Sequence, residues 1–418
     1  MSGGVVIAGS GQAGVSAAFK LRALGYAGDI TLAGEEPAVP YQRPPLSKKY
    51  LTGDAGVDRL FIKARTLYES ERIALRMDCR VAAVDRLRKQ VLLAEGHSLD
   101  YDYLILATGA IPRRLLSDQG GVAPNVHTFR TLADAERLRT EMKPGRSLLV
   151  VGGGYIGLET AAVARSLGMD VTLVERDQRI LGRVASAETA AWFRALHLAN
   201  GVRLCEGAEL KRLAHADQDS KTAWFANDTA IDADVVVVGI GVIPDTGLAE
   251  QAGLHVDNGI VVDSAGRTSD PFIYAAGDCA RFPYQGQKIR LESIQNAVDM
   301  AENVAHAIVG NTAQYRPVPW FWSEQYSTRL QIAGLNSGYT HVVVRNTSET
   351  ACSIWYYDGP RFIAVDAIND AKAFMTARQW LGAGHSPAAD AIADPGVALN
   401  AVSLEPNALN NSSWNQHA

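Results

Sequence analysis

Val5-Val6-Ile7-Ala8-Gly9-Ser10-Gly11-Gln12-Ala13-Gly14 and Leu148-Leu149-Val150-Val151-Gly152-Gly153-Gly154-Tyr155-Ile156-Gly157 write one pattern twice. Each is a short apolar run, then Gly-x-Gly-x-x-Gly, then helix-forming residues. An acid ends the next apolar run of each copy: Glu35 after Ile30-Thr31-Leu32, and Glu175 after Val171-Thr172-Leu173-Val174. In a strand–turn–helix unit the first glycine (Gly9, Gly152) makes the tight turn. The second (Gly11, Gly154) lets backbone approach a pyrophosphate, the third (Gly14, Gly157) lets helix pack on strand, and the acid takes the ribose hydroxyls. One such match is weak evidence. Two, each with strand, helix and acid in place, predict two dinucleotide-binding units. A chain with two nucleotide sites usually holds one cofactor and uses the other, which points to a flavin and a nicotinamide trading a hydride.

Composition agrees. At 418 residues the chain should form two or three domains, and 47% apolar content can fill their cores. A net charge of −5 argues against a nucleic-acid partner. No signal peptide precedes the first strand, and no apolar stretch approaches the ~20 residues of a membrane helix, so a soluble, cytoplasmic protein without membrane contact is expected. Cys79, Cys205, Cys279 and Cys352 are widely spaced, with no CxxC or CxxxxC pair. The chain therefore lacks the dithiol through which a disulfide reductase draws electrons from a flavin. Cys279, just after an apolar strand, reads as a small buried residue. The nine histidines show no metal-ligand spacing, and no metal is expected.

Along the chain, a helix is expected over Ala13–Leu24 and a strand over Asp29–Ala33. A proline-rich loop and a buried strand ending in Ala107-Thr108-Gly109-Ala110 follow. The second unit carries a helix over Tyr155–Leu167, a strand over Asp170–Glu175 and the β-branched run Val235–Val238 ahead of Gly241, typical of a strand buried on both faces. The apolar strand before Gly277-Asp278 can aim the Asp278 carboxylate at a ribityl hydroxyl, and a helix is expected over Ser293–Ile308. After Pro317 and Pro319 the pattern changes to strands at Arg329–Ala333, Tyr339–Arg345, Cys352–Tyr357 and Arg361–Asp366. A helix over Asp370–Leu381 then ends at Gly382. The polar stretch Asn407–Ala418 reads as a mobile tail.

Four signatures stand in order: GSGQAG, ATGA, GGGYIG and TSDPFIYAAGDCARF. Between the first two lies Arg43-Pro44-Pro45-Leu46-Ser47-Lys48, and near the end Pro319-Trp320-Phe321-Trp322-Ser323-Glu324-Gln325-Tyr326. From Val5 to about Leu399 the chain resembles the FAD-dependent ferredoxin reductases of bacterial oxygenase systems, the putidaredoxin reductase group. All two-dinucleotide flavoproteins share the glycine motifs; RPPLSK and PWFWSEQY are far more specific, although RPPLSK also resembles apoptosis-inducing factor. The resemblance implies an α/β fold of two Rossmann-like dinucleotide-binding domains, glutathione-reductase-like, plus a C-terminal α+β domain. The boundaries are an FAD domain in two segments (1–112 and 241–317), an inserted NAD domain (113–240), the C-terminal domain (318–406) and the tail (407–418).

By the same resemblance FAD contacts fall on Gly11, Ala13, Glu35, Lys48, Val81, Arg130, Asp278 and Ile294. The flanking motif residues Gly9, Gly14, Arg43, Ala107, Thr108, Gly109 and Gly277 go with them. The nicotinamide side falls on Gly154, Ile156, Glu159, Glu175 and Gly241, with Gly152, Tyr155 and Gly157. Trp320 or Trp322 should lie close to the flavin; Trp322 is taken as the contact. Lys48 as a cation near flavin N5 and O4 would stabilise the reduced ring, with Glu159 as its partner; these two are the candidate catalytic residues. No nucleophile is needed, because the cofactors carry the chemistry. Glu175 would accept from both ribose hydroxyls and repel a 2′-phosphate, favouring NADH over NADPH, although Arg176 beside it could serve a phosphate.

The implied activity is NADH-dependent reduction of a 2Fe–2S ferredoxin that supplies a cytochrome monooxygenase or ring-hydroxylating dioxygenase. The alternatives are a rubredoxin or monodehydroascorbate reductase, or an apoptosis-inducing-factor-like FAD/NADH-binding protein. Such a ferredoxin is expected to be acidic. The segment Arg59–Lys89 holds nine Lys and Arg against four Asp and Glu, a surplus able to steer such a partner.

Overall fold

The protein is described by a computed structural model covering residues 4–121, 125–215, 220–311 and 314–407. Apart from Asn407, the expected tail lies outside the described residues. The chain forms two compact units. One comprises Met1–Leu46, Gly53–Pro112 and Val242–Pro317; the other comprises Ser47–Thr52, Arg113–Gly241 and Val318–Ala418.

The first unit is built on a parallel five-stranded sheet ordered Ile273–Ala275, Tyr103–Leu106, Val5–Ala8, Ile30–Ala33, Ile73–Arg76. Val5–Ala8 is buried on both faces, which its unbroken apolar run requires. Helices Gln12–Ala23 and Ile294–Ile308 pack on each other, and Lys20 pairs with Glu302 at 2.8 Å between them. The chain leaves this unit through Ala110–Pro112 and returns through Val242–Pro244. These two short strands pair antiparallel, so exit and return are tied together.

The second unit repeats the scheme. Its parallel sheet runs Arg203–Glu206, Asp170–Glu175, Ser147–Val151, Val235–Val238, Val126–Thr128. In both sheets the strand feeding the glycine turn is central and the strand order reverses beside it, which is where α/β sheets bind ligands. The same unit contains the C-terminal α+β part. This is an antiparallel sheet ordered Trp320–Gln325, Thr328–Gly334, Arg361–Ile368, Ala351–Asp358, His341–Ser348, with helix Ala371–Ala383 packed on it. That helix passes the expected stop at Gly382 and ends on Gly384, whose φ of 68° makes the left-handed cap.

Ser47–Thr52 belongs to the second unit although its flanks belong to the first, unlike the unbroken first segment read from sequence. Leu51 explains this: it is buried in the same apolar cluster as Leu138, Leu158 and Leu173.

One core residue of the second unit sets a measurable pH dependence. Asp366 is fully buried, and its Oδ2 accepts from Thr189 Oγ1 at 2.7 Å and from Tyr356 Oη at 2.5 Å. Its Oδ1 has no partner among the described residues. Burial outweighs the two donors and pushes its pKa up to about 6. The folded form thus holds this proton where the unfolded chain has lost it. Stability falls as pH rises from about 4 to 6 and stays lowered above, on the order of 2–3 kcal/mol. Asp366→Asn, which leaves an unpaired amide donor, should recover roughly 1–2 kcal/mol at pH 7.5, raising Tm by a few degrees. The gain should vanish near pH 4.5, where the native carboxyl is also neutral; thermal melts at both pH values check it.

Candidate active site

The two glycine turns have nearly the same geometry. Gly9 has φ +114°, and a Cβ there would stand 2.2 Å from the carbonyl oxygen of Ala107; Gly152 has φ +109°, and its Cβ would stand 2.4 Å from that of Gly239. A Cβ on Gly14 would meet Gly9 O at 2.0 Å, and one on Gly157 would meet Gly152 O at 2.1 Å. These four positions need glycine for the backbone itself. Gly11 and Gly154 differ: nothing lies within 4 Å of a Cβ at either. They are the N-caps of helices Gln12–Ala23 and Tyr155–Ser166, and neither cap uses a side chain. Each turn thus aims free helix N–H groups into open space, the arrangement that holds a pyrophosphate.

Around the first turn the structure brings together several of the expected residues. Gly277, with φ +82°, sits so that a Cβ would lie 3.0 Å from that of Ala13. Asp278 follows, its carbonyl accepting from Arg290 Nη1 at 3.2 Å. Gly109 has φ +76°; its carbonyl accepts from Asp245 N, and Thr108 Oγ1 donates to Asp245 O at 2.6 Å. Glu35 is exposed and has no hydrogen bond or ion pair among the described residues. Arg43 pairs with Glu36 at 2.7 Å over the Tyr41 ring, Val81 is buried, and Ile294 opens helix Ile294–Ile308 after the N-cap Ser293. Open glycine, uncapped helix and free acid fit the ADP half of FAD.

Around the second turn, Glu175 is fixed rather than free. Its Oε2 accepts from Gly153 N at 2.7 Å and its Oε1 from Asp177 N at 2.8 Å. The remaining lone pairs stay available to two ribose hydroxyls. Arg176 is 72% exposed and pairs only loosely with Asp177, at 3.7 Å. Ile156 is 43% exposed although apolar. Gly241 is exposed with φ +98°. Tyr155 packs on Phe321 with ring centroids 5.0 Å apart.

One helical turn beyond Tyr155 lies Glu159, 2% exposed. Its Oε2 accepts from Lys48 Nζ and from Ser47 Oγ, both at 2.7 Å, and its Oε1 from Ser323 Oγ at 2.7 Å. Lys48 itself is 16% exposed. A buried ion pair of this kind persists only with such extra donors. Ser47 and Ser323 lie inside the RPPLSK and PWFWSEQY segments, yet sequence reading gave them no part. Alternation puts Ser323 on the strand face of Phe321 and the helix period puts Glu159 on the face of Tyr155, but nothing in the sequence brings those two faces, or Ser47, together. Arg130 also lies in the second unit, where its backbone N–H donates to Asp134 Oδ2. Trp320 and Trp322 share the opposite strand face, 5.5 Å apart, and Trp320 also packs on Phe374 under Arg378.

All four cysteines are free; Cys79, Cys279 and Cys352 are buried, and burial raises their thiol pKa values. Among the described residues no cluster of His, Cys, Asp and Glu could hold a metal, and no helix is long and apolar enough to cross a membrane.

Two dinucleotide cradles, each on its own parallel sheet, define an oxidoreductase that works with two nucleotide cofactors. The chain belongs to the pyridine nucleotide-disulphide oxidoreductase family, matched over residues 3–301, with a reductase C-terminal domain over 320–403. That family works with FAD and NAD(P). The chain is 45% identical to rhodocoxin reductase of Rhodococcus erythropolis over 380 residues, 90% of this chain and 89% of that protein. It is 42% identical to putidaredoxin reductase of Pseudomonas putida over 382 residues, 90% of each. Among solved structures, the covalent putidaredoxin reductase–putidaredoxin complex matches with a TM-score of 0.92 at 40% identity, covering 95% of this chain and 97% of that one. The resemblance carried by RPPLSK and PWFWSEQY is borne out.

Proposed function

We propose that this chain is an NADH-dependent ferredoxin reductase of an oxygenase system, with FAD in the first cradle and NADH in the second. One observation carries the reading: all four cysteines are free and three are buried, so electrons passed from the nicotinamide cradle to the flavin cradle find no dithiol and go on to an external carrier. Relatives named as reductases of rhodocoxin and putidaredoxin support a ferredoxin as that carrier, which we take to be of the 2Fe–2S kind. When bound, FAD takes up the hydride's two electrons and releases them singly, which matches a nicotinamide to a one-electron carrier. The chain's own part is positioning and charge. The N–H groups behind Gly11 and Gly154 hold the pyrophosphates, Glu35 and Glu175 hold riboses, and Asp278 and Ile294 contact the flavin end. Lys48, kept in place by Glu159, supplies the positive charge that an electron-rich reduced ring needs. Glu175 makes NADH the better donor.

An acidic ferredoxin fits the first unit's segment Arg59–Lys89. Arg59, Lys63, Arg65, Arg72, Arg76, Arg80 and Arg88 are exposed there, and Ile73–Arg76 is an edge strand of the sheet. Arg86 is held by Asp270 at 2.8 Å, and Lys89 lies over the Phe272 ring, so these two contribute less. NADH-driven reduction of acidic 2Fe–2S ferredoxins should slow as salt rises and the Debye length falls from ~10 Å at 0.1 M to ~3 Å at 1 M. Reduction of a small uncharged acceptor should change much less. Arg65→Glu and Arg72→Glu should raise KM for ferredoxin and leave flavin reduction by NADH intact. A flat salt response with unchanged KM in both variants removes this segment as the docking face. Failure to reduce any ferredoxin, with rubredoxin reduced instead, overturns the ferredoxin assignment.

A further inference from the structure

We propose that Gln325 and His197 are positioning residues for hydride transfer, acting on the Lys48–Glu159 pair through Ser323. This rests on the reading above, in which Lys48 serves the flavin. The strand Trp320–Gln325 places Phe321, Ser323 and Gln325 on one face. Phe321 meets Tyr155, Ser323 meets Glu159, and Gln325 meets His197. Gln325 Nε2 donates to Ser323 Oγ at 3.2 Å, and Gln325 Oε1 pairs with His197 Nε2 at 2.8 Å. Ser323, Gln325 and His197 are all buried, with His197 fully so, in the last turn of helix Ala187–Ala199.

The directions of these bonds agree with one another. Burial lowers the His197 pKa and so favours the neutral ring, and the Gln325 carbonyl facing Nε2 is matched by the tautomer that carries its proton there. Each member then accepts from behind and donates forward: His197 to Gln325, Gln325 to Ser323, Ser323 to Glu159 Oε1. A chain of donors all aimed at one carboxylate polarises along its length and fixes that carboxylate's rotamer. The opposite oxygen takes Lys48 and Ser47. Turning the carboxylate would therefore move the ammonium.

The outer end of the chain is held at a cost. Tyr326 has φ +54° in the tight turn between Gln325 and Thr328, a left-handed conformation that favours glycine or asparagine. In that conformation its ring stands edge-on to His197, centroids 5.3 Å apart, with Oη 3.4 Å from Nδ1. Strained backbone of this kind persists where the surroundings fix it, and here it closes the pocket around His197.

The test uses holoprotein carrying Gln325→Met or His197→Phe, each alone and in a Ser323→Ala background. The readouts are the rate of flavin bleaching at saturating NADH, the NADH dissociation constant and the flavin midpoint potential. Each single variant should slow bleaching about fivefold, the loss of one hydrogen bond. The potential should move to a more negative value, and the NADH dissociation constant should stay within about twofold. In the Ser323→Ala background, adding either variant should change rate and potential less than about twofold, because the route is already cut. Equal effects in both backgrounds, or changed NADH binding with unchanged rate and potential, would overturn the proposal. If Gln325→Met is not recovered folded, His197→Phe gives the same comparison. A wild type that NADH does not bleach fails the proposed function itself; a bleached wild type with indifferent variants fails only this inference.

Discussion

Gly11→Val should yield a colourless protein, and Gly154→Val a yellow one that NADH bleaches only weakly. Both substitutions should leave the fold standing. Gly11 has φ −75° and Gly154 φ −81°, with extended ψ, conformations a β-branched residue adopts without strain. Neither built Cβ meets an atom within 4 Å. What the methyl groups would fill is the space a pyrophosphate needs beside the helix N–H groups. Flavin content after purification should therefore collapse in the first variant only. In the second, kcat/KM for NADH should fall by two orders of magnitude or more, about the ~3 kcal/mol of several charge-assisted hydrogen bonds. Gly9→Val or Gly14→Val would prove far less, since a side chain there collides with backbone at 2.2 or 2.0 Å. Absorbance at the flavin bands and stopped-flow bleaching check both outcomes. Full flavin in Gly11→Val, or normal bleaching in Gly154→Val, would show that these turns are not the cradles.

Glu175→Ala should narrow the preference for NADH over NADPH by about 5–150-fold, the range expected when one charge-assisted hydrogen bond to NADH is removed and one repulsion of NADPH is lifted. The carboxylate is pinned by the Gly153 and Asp177 N–H groups, so in the wild type it cannot swing away from a 2′-phosphate. Arg176, largely exposed and loosely paired, is free to meet that phosphate once the acid is gone. Steady-state kcat/KM with both nucleotides, wild type against variant, measures the change. A wild type that prefers NADPH would show that Arg176 outweighs Glu175.

The two sheets were legible in the sequence because their signals are local. Val5–Ala8 and Val235–Val238 are unbroken apolar runs, and each glycine turn, helix start and strand-end acid sits within one strand–helix–strand unit. The C-terminal strands and the helix before Gly384 were also readable from alternation and turn residues. The strand Trp320–Gln325 was not, because its aromatics face both ways and two prolines precede it. The placement of Ser47–Thr52 in the second unit escaped as well: it depends on Leu51 reaching the cluster of Leu138 and Leu158, far away in sequence. The cluster about Glu159 was half visible. Lys48 and Glu159 came from resemblance alone, while Ser323, Gln325 and His197 meet through contacts 128 and 164 residues apart, which no sequence periodicity encodes.

The central claim is that electrons pass from NADH through bound FAD to a ferredoxin, and an anaerobic titration tests it most directly. One equivalent of NADH per flavin should bleach the bound FAD completely. Oxidised 2Fe–2S ferredoxin added next should restore the yellow colour, with two ferredoxins reduced for each flavin reoxidised, as two electrons leaving singly require. A flavin that NADH leaves oxidised, or a bleached flavin that ferredoxin cannot reoxidise while rubredoxin can, would contradict the account.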